Sequence, residues 1–322
     1  MIFDNSRQSN MLVVKSINAS NTEAANTPNP VALIPNLWNE GELACLFAKT
    51  NLGKSIYAVQ ISAEIAKTRN VLYFDCEISD KQFQLRYTNP ETGEIHQFPD
   101  SLFRATISTN APFSENYLDM LLDEIRLAAI NTESRVIIID NLSYVCMRTE
   151  KADEAGMFMA KLKQLQSVFK FSILVVAHSP KISGNVPVEL NHLAGSSRLS
   201  YFFDDIFAIG KSTLGKGHCY IKQLKYRAGE FTYTEENVKL LELVKQKDGN
   251  LIFEDRGSGH EQSQISSSYV DQEKIATVIA LREQGMSYRE IQARTGISKS
   301  AAGRMGKGTD CLTISGQSDP VS

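Results

Sequence analysis

Cysteine is scarce in this sequence, and its five copies are scattered without a C-x-x-C pair. Three of them, Cys45, Cys76 and Cys219, lie in or beside apolar, strand-like runs. In such runs a cysteine is more often a buried, inert thiol than a metal ligand. The cysteine pattern therefore indicates a reduced setting, and we expect a cytoplasmic protein.

Long apolar runs and net positive charge are also missing. No run approaches the roughly 18 apolar residues of a membrane-spanning helix, and the N-terminus has no basic-then-apolar signal pattern. The sequence therefore supports neither a membrane protein nor a secreted one. The net charge is −3, so the whole molecule is not a polycation, and any contact with nucleic acid must come from a local basic patch.

Short apolar runs alternate with helical segments through most of the chain. Continuous β-branched runs separated by helices predict an α/β fold, in which helices cover both faces of a mainly parallel sheet. The predicted strands are Leu43–Phe47, Val71–Asp75, Val136–Asp140, Ile173–Ala177 and Ile206–Ile209. Asp248-Gly249 lies between two later apolar runs and predicts a hairpin.

Composition divides the chain into five predicted parts. Residues 1–33 are polar and rich in Asn, Ser and Thr, which predicts a flexible N-terminal arm, and residues 34–254 form the core. Residues 255–270 predict a flexible linker, because the stretch is rich in glycine and serine. Residues 271–307 form a small basic helical unit, with seven lysines and arginines against four acids. The polar tail, residues 308–322, is predicted to be disordered.

The most informative motif is GELACLFAKTNLGKS, residues 41–55. An apolar strand leads into a tight loop, and Gly53-Lys54-Ser55 opens a helix, which is the geometry of a phosphate-binding loop. Lys54 would neutralise the β and γ phosphates, and the Ser55 hydroxyl would complete a Mg²⁺ shell. Ala48 replaces the motif's usual first glycine and resists positive φ. The alternative interpretation of the whole motif is a fortuitous turn that binds no nucleotide. The predicted nucleotide-binding residues are Ala48, Lys49, Thr50, Asn51, Leu52, Gly53, Lys54 and Ser55.

Three further polar residues lie at the ends of predicted strands. Asp140 ends RVIIID, where a carboxylate can hold Mg²⁺ through water or simply cap the next turn. Glu77 follows the strand after the loop's helix and can polarise the water that attacks the γ-phosphate. Alternatively, Glu77 or Asp75 only solvates a strand end. His178 ends SILVVAH, where it can contact the γ-phosphate and report its loss, or have a structural role.

Two cations, Lys225 and Arg227, lie two residues apart on a late strand and therefore point the same way. Such a pair can reach a neighbouring subunit's ATP, where an arginine finger stabilises transition-state charge. The alternative is a solvated cationic strand end.

Six motifs, AKTNLGKS, FDCEIS, VIIID, VVAHSPK, GSSRLSYFFDD and KYRAG, occur in this order. Together they resemble the RecA/DnaB-type ATPases, most closely the RepA-like hexameric ATPases of plasmids and mobile elements, over roughly residues 30–254. The resemblance implies a RecA-like P-loop core that uses ATP and Mg²⁺. It also implies roles for individual residues: Lys54 and Ser55 on phosphate and Mg²⁺, Asp140 on Mg²⁺, Glu77 as catalytic base, His178 as γ-phosphate sensor, and Lys225 with Arg227 acting in trans. The family often has a mobile, DNA-facing segment where this chain has Arg198, which is therefore a predicted DNA contact.

The basic unit has a helix-turn-helix pattern of its own. A first helix ends near Gln284-Gly285, Ser287 can cap a second helix over Tyr288–Thr295, Gly296 makes the turn, and Ser298 caps a third helix. The pattern resembles a resolvase-type helix-turn-helix, whose last helix enters the major groove. Its predicted DNA contacts are Lys299, Ser300 and Arg304. A three-helix protein-docking module is the alternative, and the interior glycines weaken the last helix.

These patterns together predict a DNA-dependent, helicase-like ATPase that works in replication or mobilisation of a mobile element. Homo-oligomeric rings or filaments would place Arg227 at the next subunit's ATP. Single-stranded DNA would pass through the core, and duplex DNA would bind the helix-turn-helix. An ATP-switched DNA-binding regulator or loader without unwinding activity is the alternative, whereas Glu77 and the cation pair disfavour a small-molecule kinase.

Overall fold

The chain divides into two compact units, residues up to Val31 and residues from Ala32 onward. The structure, a computed structural model, describes residues 12–109, 116–141, 152–180, 186–193, 197–265 and 269–306.

In the first unit, residues predicted to be a flexible arm contain the helix α1 (Ile17–Ala25), none of whose residues is buried. The Ser16 hydroxyl caps the helix by accepting from Ala19 N, and Lys15 pairs with Glu23. A side-chain cap and an ion pair therefore stabilise a local helix that the polar composition did not suggest.

The second unit contains strands and helices in the alternation that the sequence predicts. The strands are β1 (Ala32–Ile34), β2 (Trp38–Asn39), β3 (Leu43–Ala48), β4 (Val71–Asp75), β5 (Leu102–Thr106), β6 (Val136–Asp140), β7 (Ser172–His178), β8 (Asp205–Lys211), β9 (His218–Lys225), β10 (Val238–Lys245) and β11 (Leu251–Gly259). The helices are α2 (Lys54–Ala66), α3 (Asp80–Arg86), α4 (Tyr117–Asn131), α5 (Ala152–Phe169), α6 (Ser197–Ser200), α7 (Glu261–Ile265), α8 (Tyr269–Glu283), α9 (Tyr288–Thr295) and α10 (Lys299–Met305). Within the described ranges, every helix is too short or too polar to cross a bilayer.

Nine strands form one sheet in the order β11-β10-β9-β8-β3-β7-β6-β4-β5. The six strands from β8 to β5 are parallel, and β9, β10 and β11 join them as antiparallel neighbours. The predicted hairpin is the pair β10 and β11. This mainly parallel sheet confirms the predicted fold class.

Both faces of the central strands are buried, which explains why those strands are apolar throughout. In β3, Leu43, Cys45 and Phe47 face one apolar cluster, and Ala44 and Leu46 face the other. The cluster around Ala44 includes side chains of α2, and the cluster around Leu43 includes side chains of α4 and α5. Helices therefore cover the sheet on both sides, as predicted.

Two of the three cysteines in apolar runs are buried thiols. Cys45 is fully buried in β3, and burial raises its pKa far above the ordinary value. Burial likewise raises the pKa of Cys219 to about 12. Both thiols therefore stay protonated and chemically inert near neutral pH.

The prediction of a flexible linker over residues 255–270 is wrong for most of that range. Strand β11 continues to Gly259, and α7 follows it directly. Glu261 at the start of α7 is buried and accepts hydrogen bonds from Tyr220 Oη at 2.9 Å, Lys222 Nζ at 2.5 Å and Val188 N at 2.8 Å. A buried carboxylate with three donors fixes this segment to the core, despite its glycine- and serine-rich composition.

The three C-terminal helices lie where the sequence predicts them. Ser287 caps α9 through a reciprocal capping box with Glu290, and Gly296 ends the helix with φ of 73°. Ile291 and Ile297 are buried in a small apolar cluster shared by α8, α9 and α10. The tail beyond residue 306 lies outside the described residues.

Candidate functional site

The predicted phosphate loop connects the carboxyl end of β3 to α2. The residues with positive φ in the loop are Asn51, at 65°, and Gly53, at 80°. Ala48, where glycine was missing, is the last residue of β3 and pairs with His178 and Ile209 on the neighbouring strands. The substitution therefore falls on ordinary strand backbone, and the expected difficulty at the loop entry does not arise.

The N-terminus of α2 can receive an anion. Gly53 is the N-cap residue and has no side chain that could accept hydrogen bonds from the first N–H groups of the helix, so these groups are available to a ligand. Lys54 is the first helical residue and is only 5% exposed. Amide donors, the helix dipole and this buried ammonium together form a site for phosphate groups.

Phe253 supports the loop from the far end of the sequence. A Cβ on Gly53 would lie 2.6 Å from Phe253 Cζ, so any other residue here would displace this ring and would also be strained at a φ of 80°. The backbone of Phe253 is held by Gln60 of α2, through Phe253 N to Oε1 at 2.8 Å and Nε2 to Phe253 O at 3.0 Å. No sequence pattern indicates this contact, because the two segments are almost 200 residues apart.

A cavity of about 530 Å³ opens beside the loop. Asn51 and Leu52 line it on the side of the loop, and Phe253, Lys216 and His218 line other parts of its wall. The N–H groups at the start of α2 therefore adjoin a space with both apolar and basic walls.

Asp140 ends β6 beside the loop, and its side chain is almost fully buried. Tyr73 Oη donates a hydrogen bond of 2.6 Å to Asp140 Oδ2, whereas Oδ1 forms none of good geometry with the residues that the structure describes. Burial raises the Asp140 pKa to about 6, although Tyr73 and the nearby Ser55 hydroxyl lower it. A buried carboxylate oxygen beside a hydroxyl fits a hard cation such as Mg²⁺.

Glu77 lies on the turn after β4, and Asp75 holds that turn. Asp75 Oδ1 accepts from Glu77 N at 2.9 Å and Ile78 N at 3.2 Å, and Asp75 Oδ2 accepts from Arg104 Nε at 3.0 Å and Nη2 at 2.9 Å. Asp75 therefore has a structural role. Glu77 is exposed at the same edge of the sheet as the loop.

His178 ends β7 next to Ala48, and Asn141 connects it to Glu77. Asn141 Nδ2 lies 3.2 Å from Glu77 Oε2 and 3.0 Å from His178 Nε2. Burial and the charge of Lys54 lower the His178 pKa, so its imidazole is neutral near pH 7. Asn141 is not among the predicted site residues, and its position directly after Asp140 is the one sequence feature that could have indicated it.

Lys225 and Arg227 lie away from the phosphate loop of their own chain. Strand β9 runs antiparallel to β8, so its end lies beside the start of β8, and a seven-residue strand spans roughly 20 Å. Lys225 Nζ donates to the backbone oxygens of Ser200 and Phe203, at 2.9 and 2.6 Å. Arg227 Nη1 donates to Asp204 Oδ1 at 2.9 Å and remains 55% exposed. The structure therefore does not bring these cations to the site formed by Lys54, Glu77, Asp140 and His178.

The predicted DNA contacts lie on two helices. Lys299, Ser300 and Arg304 belong to α10 and are exposed. Arg198 belongs to α6, and its side chain lies outside the described residues.

Residues 9–184, more than half of the chain, match the sequence model of a protein family described as the AAA domain. The matched range contains the loop, Glu77, Asp140 and His178. Among solved structures, the chain is similar to a KaiC-like protein from the hyperthermophilic archaeon Pyrococcus horikoshii OT3. That similarity has 11% identity and a TM-score of 0.49, and it covers 67% of this chain and 91% of the other. No curated protein sequence matches the chain.

Proposed function

The chain belongs to the AAA domain family, and we propose that it is a DNA-dependent ATPase that uses ATP and Mg²⁺. One observation carries this proposal: the amide-rich start of α2, the buried ammonium of Lys54, and the side chains of Asp140, Glu77 and His178 meet at one edge of the sheet. This arrangement supplies binding, charge neutralisation and proton acceptance for hydrolysis of a triphosphate.

Each residue of the site has a distinct task in this proposal. The N–H groups of α2 and Lys54 bind the phosphates, and the adjoining cavity takes the base and ribose. Ser55 and Asp140 would hold Mg²⁺, which would neutralise charge on the phosphates. Glu77 accepts a proton from the attacking water, and His178 contacts the γ-phosphate.

DNA is the proposed partner because the C-terminal helical unit is basic although the chain as a whole is not. The net charge of the whole chain is −3, yet seven of its lysines and arginines fall within residues 271–307. Lys299, Ser300 and Arg304 are exposed on α10, as a helix that enters the major groove of duplex DNA requires. Single-stranded DNA would contact the core near Arg198. We propose unwinding or remodelling of DNA from a mobile element as the work done, in the cytoplasm.

Substitutions in the site test the ATPase proposal. Lys54→Ala should abolish ATP binding and turnover, because it removes the ammonium from the phosphate site. Glu77→Gln should keep ATP binding but lower turnover by about 10²–10⁴-fold, the usual contribution of a general base. ATP affinity and phosphate release measure the two effects, and Lys299→Ala is the control that should leave DNA-independent turnover unchanged. Undiminished hydrolysis in both site variants would refute the proposal.

A second candidate function is an ATP-switched DNA-binding regulator or loader, because the exposed cations of α10 suit that role equally well. A strand-displacement assay separates the two functions. A motor should separate a forked duplex with ATP and fail with the Glu77→Gln variant. A switch should bind duplex DNA differently with ATP and ADP, and should separate no strands.

A further inference from the structure

Asn141 lies between two residues of the proposed ATPase site. It directly follows β6, which is the middle strand of the three neighbours β4, β6 and β7. Glu77 follows β4 on one side, and His178 ends β7 on the other. Among the strands that the structure describes, β6 is therefore the one that borders both of theirs, and Asn141 lies at its end. Asn141 itself is 3% exposed, whereas Glu77 is exposed and His178 is half-buried.

The chemistry of the two contacts determines which atom of Asn141 makes them. A carboxylate only accepts hydrogen bonds, so the atom 3.2 Å from Glu77 Oε2 must be the amide nitrogen. The same nitrogen lies 3.0 Å from His178 Nε2. An amide NH₂ has two hydrogens, one for each acceptor. The contact with His178 requires a lone pair on Nε2, which a neutral imidazole with its proton on Nδ1 provides.

Asn141 therefore links Glu77, the proposed general base, to His178, the proposed contact of the γ-phosphate. His178 Nδ1 is buried and forms no hydrogen bond with the residues described in the structure. An imidazole held at Nε2 by Asn141 can rotate toward a new acceptor only by straining or breaking that bond. Because the same NH₂ group also contacts Glu77, a movement of His178 would be transmitted to Glu77 through Asn141.

We infer that Asn141 is a positioning residue that holds Glu77 and His178 in a fixed mutual arrangement and couples them during ATP hydrolysis. This inference rests on the proposed ATPase function. Asn141 touches neither the phosphates nor the attacking water in this role, and acts only through its two neighbours.

Two substitutions test the role of the shared donor. Asn141→Asp keeps the shape of the side chain but removes both donated hydrogens and places a second carboxylate against Glu77. Asn141→Ala removes the contacts without adding charge. We expect kcat to fall by about 10–100-fold in the alanine variant, since a small misplacement of a catalytic group can cost about 10²-fold. The fall should be larger in the aspartate variant, and KM for ATP should change less than about threefold in the alanine variant.

Asn70→Ala is the matched control. Asn70 lies before β4, at the opposite end from the site, and donates one amide hydrogen bond of 2.8 Å to Thr132 O. Its removal should change Tm about as much as Asn141→Ala does, and it should leave kcat unchanged. A kcat for Asn141→Ala within twofold of wild type would overturn the inference, and so would equal losses of kcat in the two alanine variants.

A double-mutant cycle with His178→Ala tests the coupling itself. If Asn141 transmits the state of His178 to Glu77, then Asn141→Ala should lower kcat less in the His178→Ala background than in the wild type. Fully additive effects would overturn the coupling. Wild-type protein measured in the same series distinguishes a failure of the proposed function from a failure of this inference alone. A wild type that hydrolyses no ATP overturns the proposed function and this inference with it, whereas normal wild-type turnover with unaffected variants overturns the inference alone.

Discussion

At the scale of a single residue, the buried carboxylate of Asp140 makes the stability of the folded state depend on pH. Its carboxylate is almost fully buried, and burial is the largest influence on its pKa, which rises to about 6. In the unfolded chain the same group would titrate near 3.8. The folded state therefore favours the protonated form, and ionisation of Asp140 destabilises the protein in the absence of a cation.

Replacement of Asp140 by Asn should stabilise the ligand-free protein at neutral pH. The destabilisation by Asp140 grows as the pH rises from about 4 to about 6 and reaches roughly 2–3 kcal/mol above that range. Thermal unfolding of wild type and Asp140→Asn should therefore give similar Tm values near pH 4 and a higher Tm for the variant near pH 8. Mg²⁺-dependent ATP hydrolysis should be lost in the variant. A variant that is less stable than wild type at pH 8 would contradict this account.

At the scale of elements, α7 belongs to the core and not to a linker. Its buried Glu261 accepts from a tyrosine and a lysine of β9, and Ser212 Oγ donates to Gln264 Oε1 at 2.9 Å. Composition alone predicted flexibility here, because glycine and serine are common in linkers. A buried carboxylate with several donors outweighs that tendency.

Two truncations should locate the end of the folded core. A chain that ends after Ile265 keeps α7 and should unfold within a few degrees of the full-length protein. A chain that ends after Glu254 leaves Lys222 and Tyr220 without their buried partner and shortens β11. Loss of a buried charged partner costs about 3–5 kcal/mol, so its Tm should fall by roughly 10 °C. Glu261→Gln in the full-length chain is the control for the ion pair between Lys222 and Glu261. Equal Tm values for both truncations would contradict the assignment of α7 to the folded core.

The last helix, α10, contains a glycine that its structure does not require. A Cβ on Gly303 would meet nothing within 4 Å, whereas one on Gly306 would lie 3.0 Å from the Tyr288 ring. Gly303→Ala should therefore stabilise α10 by up to about 1 kcal/mol. Hydrogen exchange of the amides in residues 299–305 measures this change, with Gly306→Ala as the crowded comparison. Faster exchange in Gly303→Ala would show the prediction to be wrong.

At the scale of the whole molecule, the separation of Arg227 from the phosphate loop has a functional consequence. The two lie at opposite ends of the strands β3 and β8, so Arg227 cannot assist hydrolysis in its own chain. Arg227 is exposed at the junction of α6 and β8, where a second copy can approach it. If Arg227 is an arginine finger, this fold therefore requires it to act on the ATP of a neighbouring chain.

Mixing two inactive variants should restore activity if Arg227 acts in trans. Lys54→Ala keeps the finger and loses the phosphate site, whereas Arg227→Ala does the opposite. Random assembly of equal amounts should give roughly a quarter of the wild-type rate, because about one interface in four pairs two intact halves. Phosphate release measures the rate, and each variant alone at the same total concentration is the control. No recovery in the mixture, or full activity of Arg227→Ala alone, would exclude the finger.

Much of the site could be predicted because its signals are local. Gly53-Lys54-Ser55 follows an apolar strand directly, and Asp140 and His178 end apolar strands of their own. Parallel strands bring their carboxyl ends to one edge, so separate local signals converge without further information. The contact of Phe253 with Gly53 had no such signal, and the position of Asn141 after Asp140 did not indicate its partner His178, since both contacts depend on the distance between segments in space.

The sequence by itself determined five parallel strands of the sheet, the hairpin of β10 and β11, the loop between β3 and α2, and the caps of the C-terminal helices. Each of these depends on hydrophobic periodicity or on the backbone preferences of a few adjacent residues. Tertiary structure alone decided that α7 is part of the core, that Asn141 joins Glu77 to His178, and that Arg227 faces away from its own phosphate loop. These features depend on strand order and on burial, which arise only when distant segments pack together.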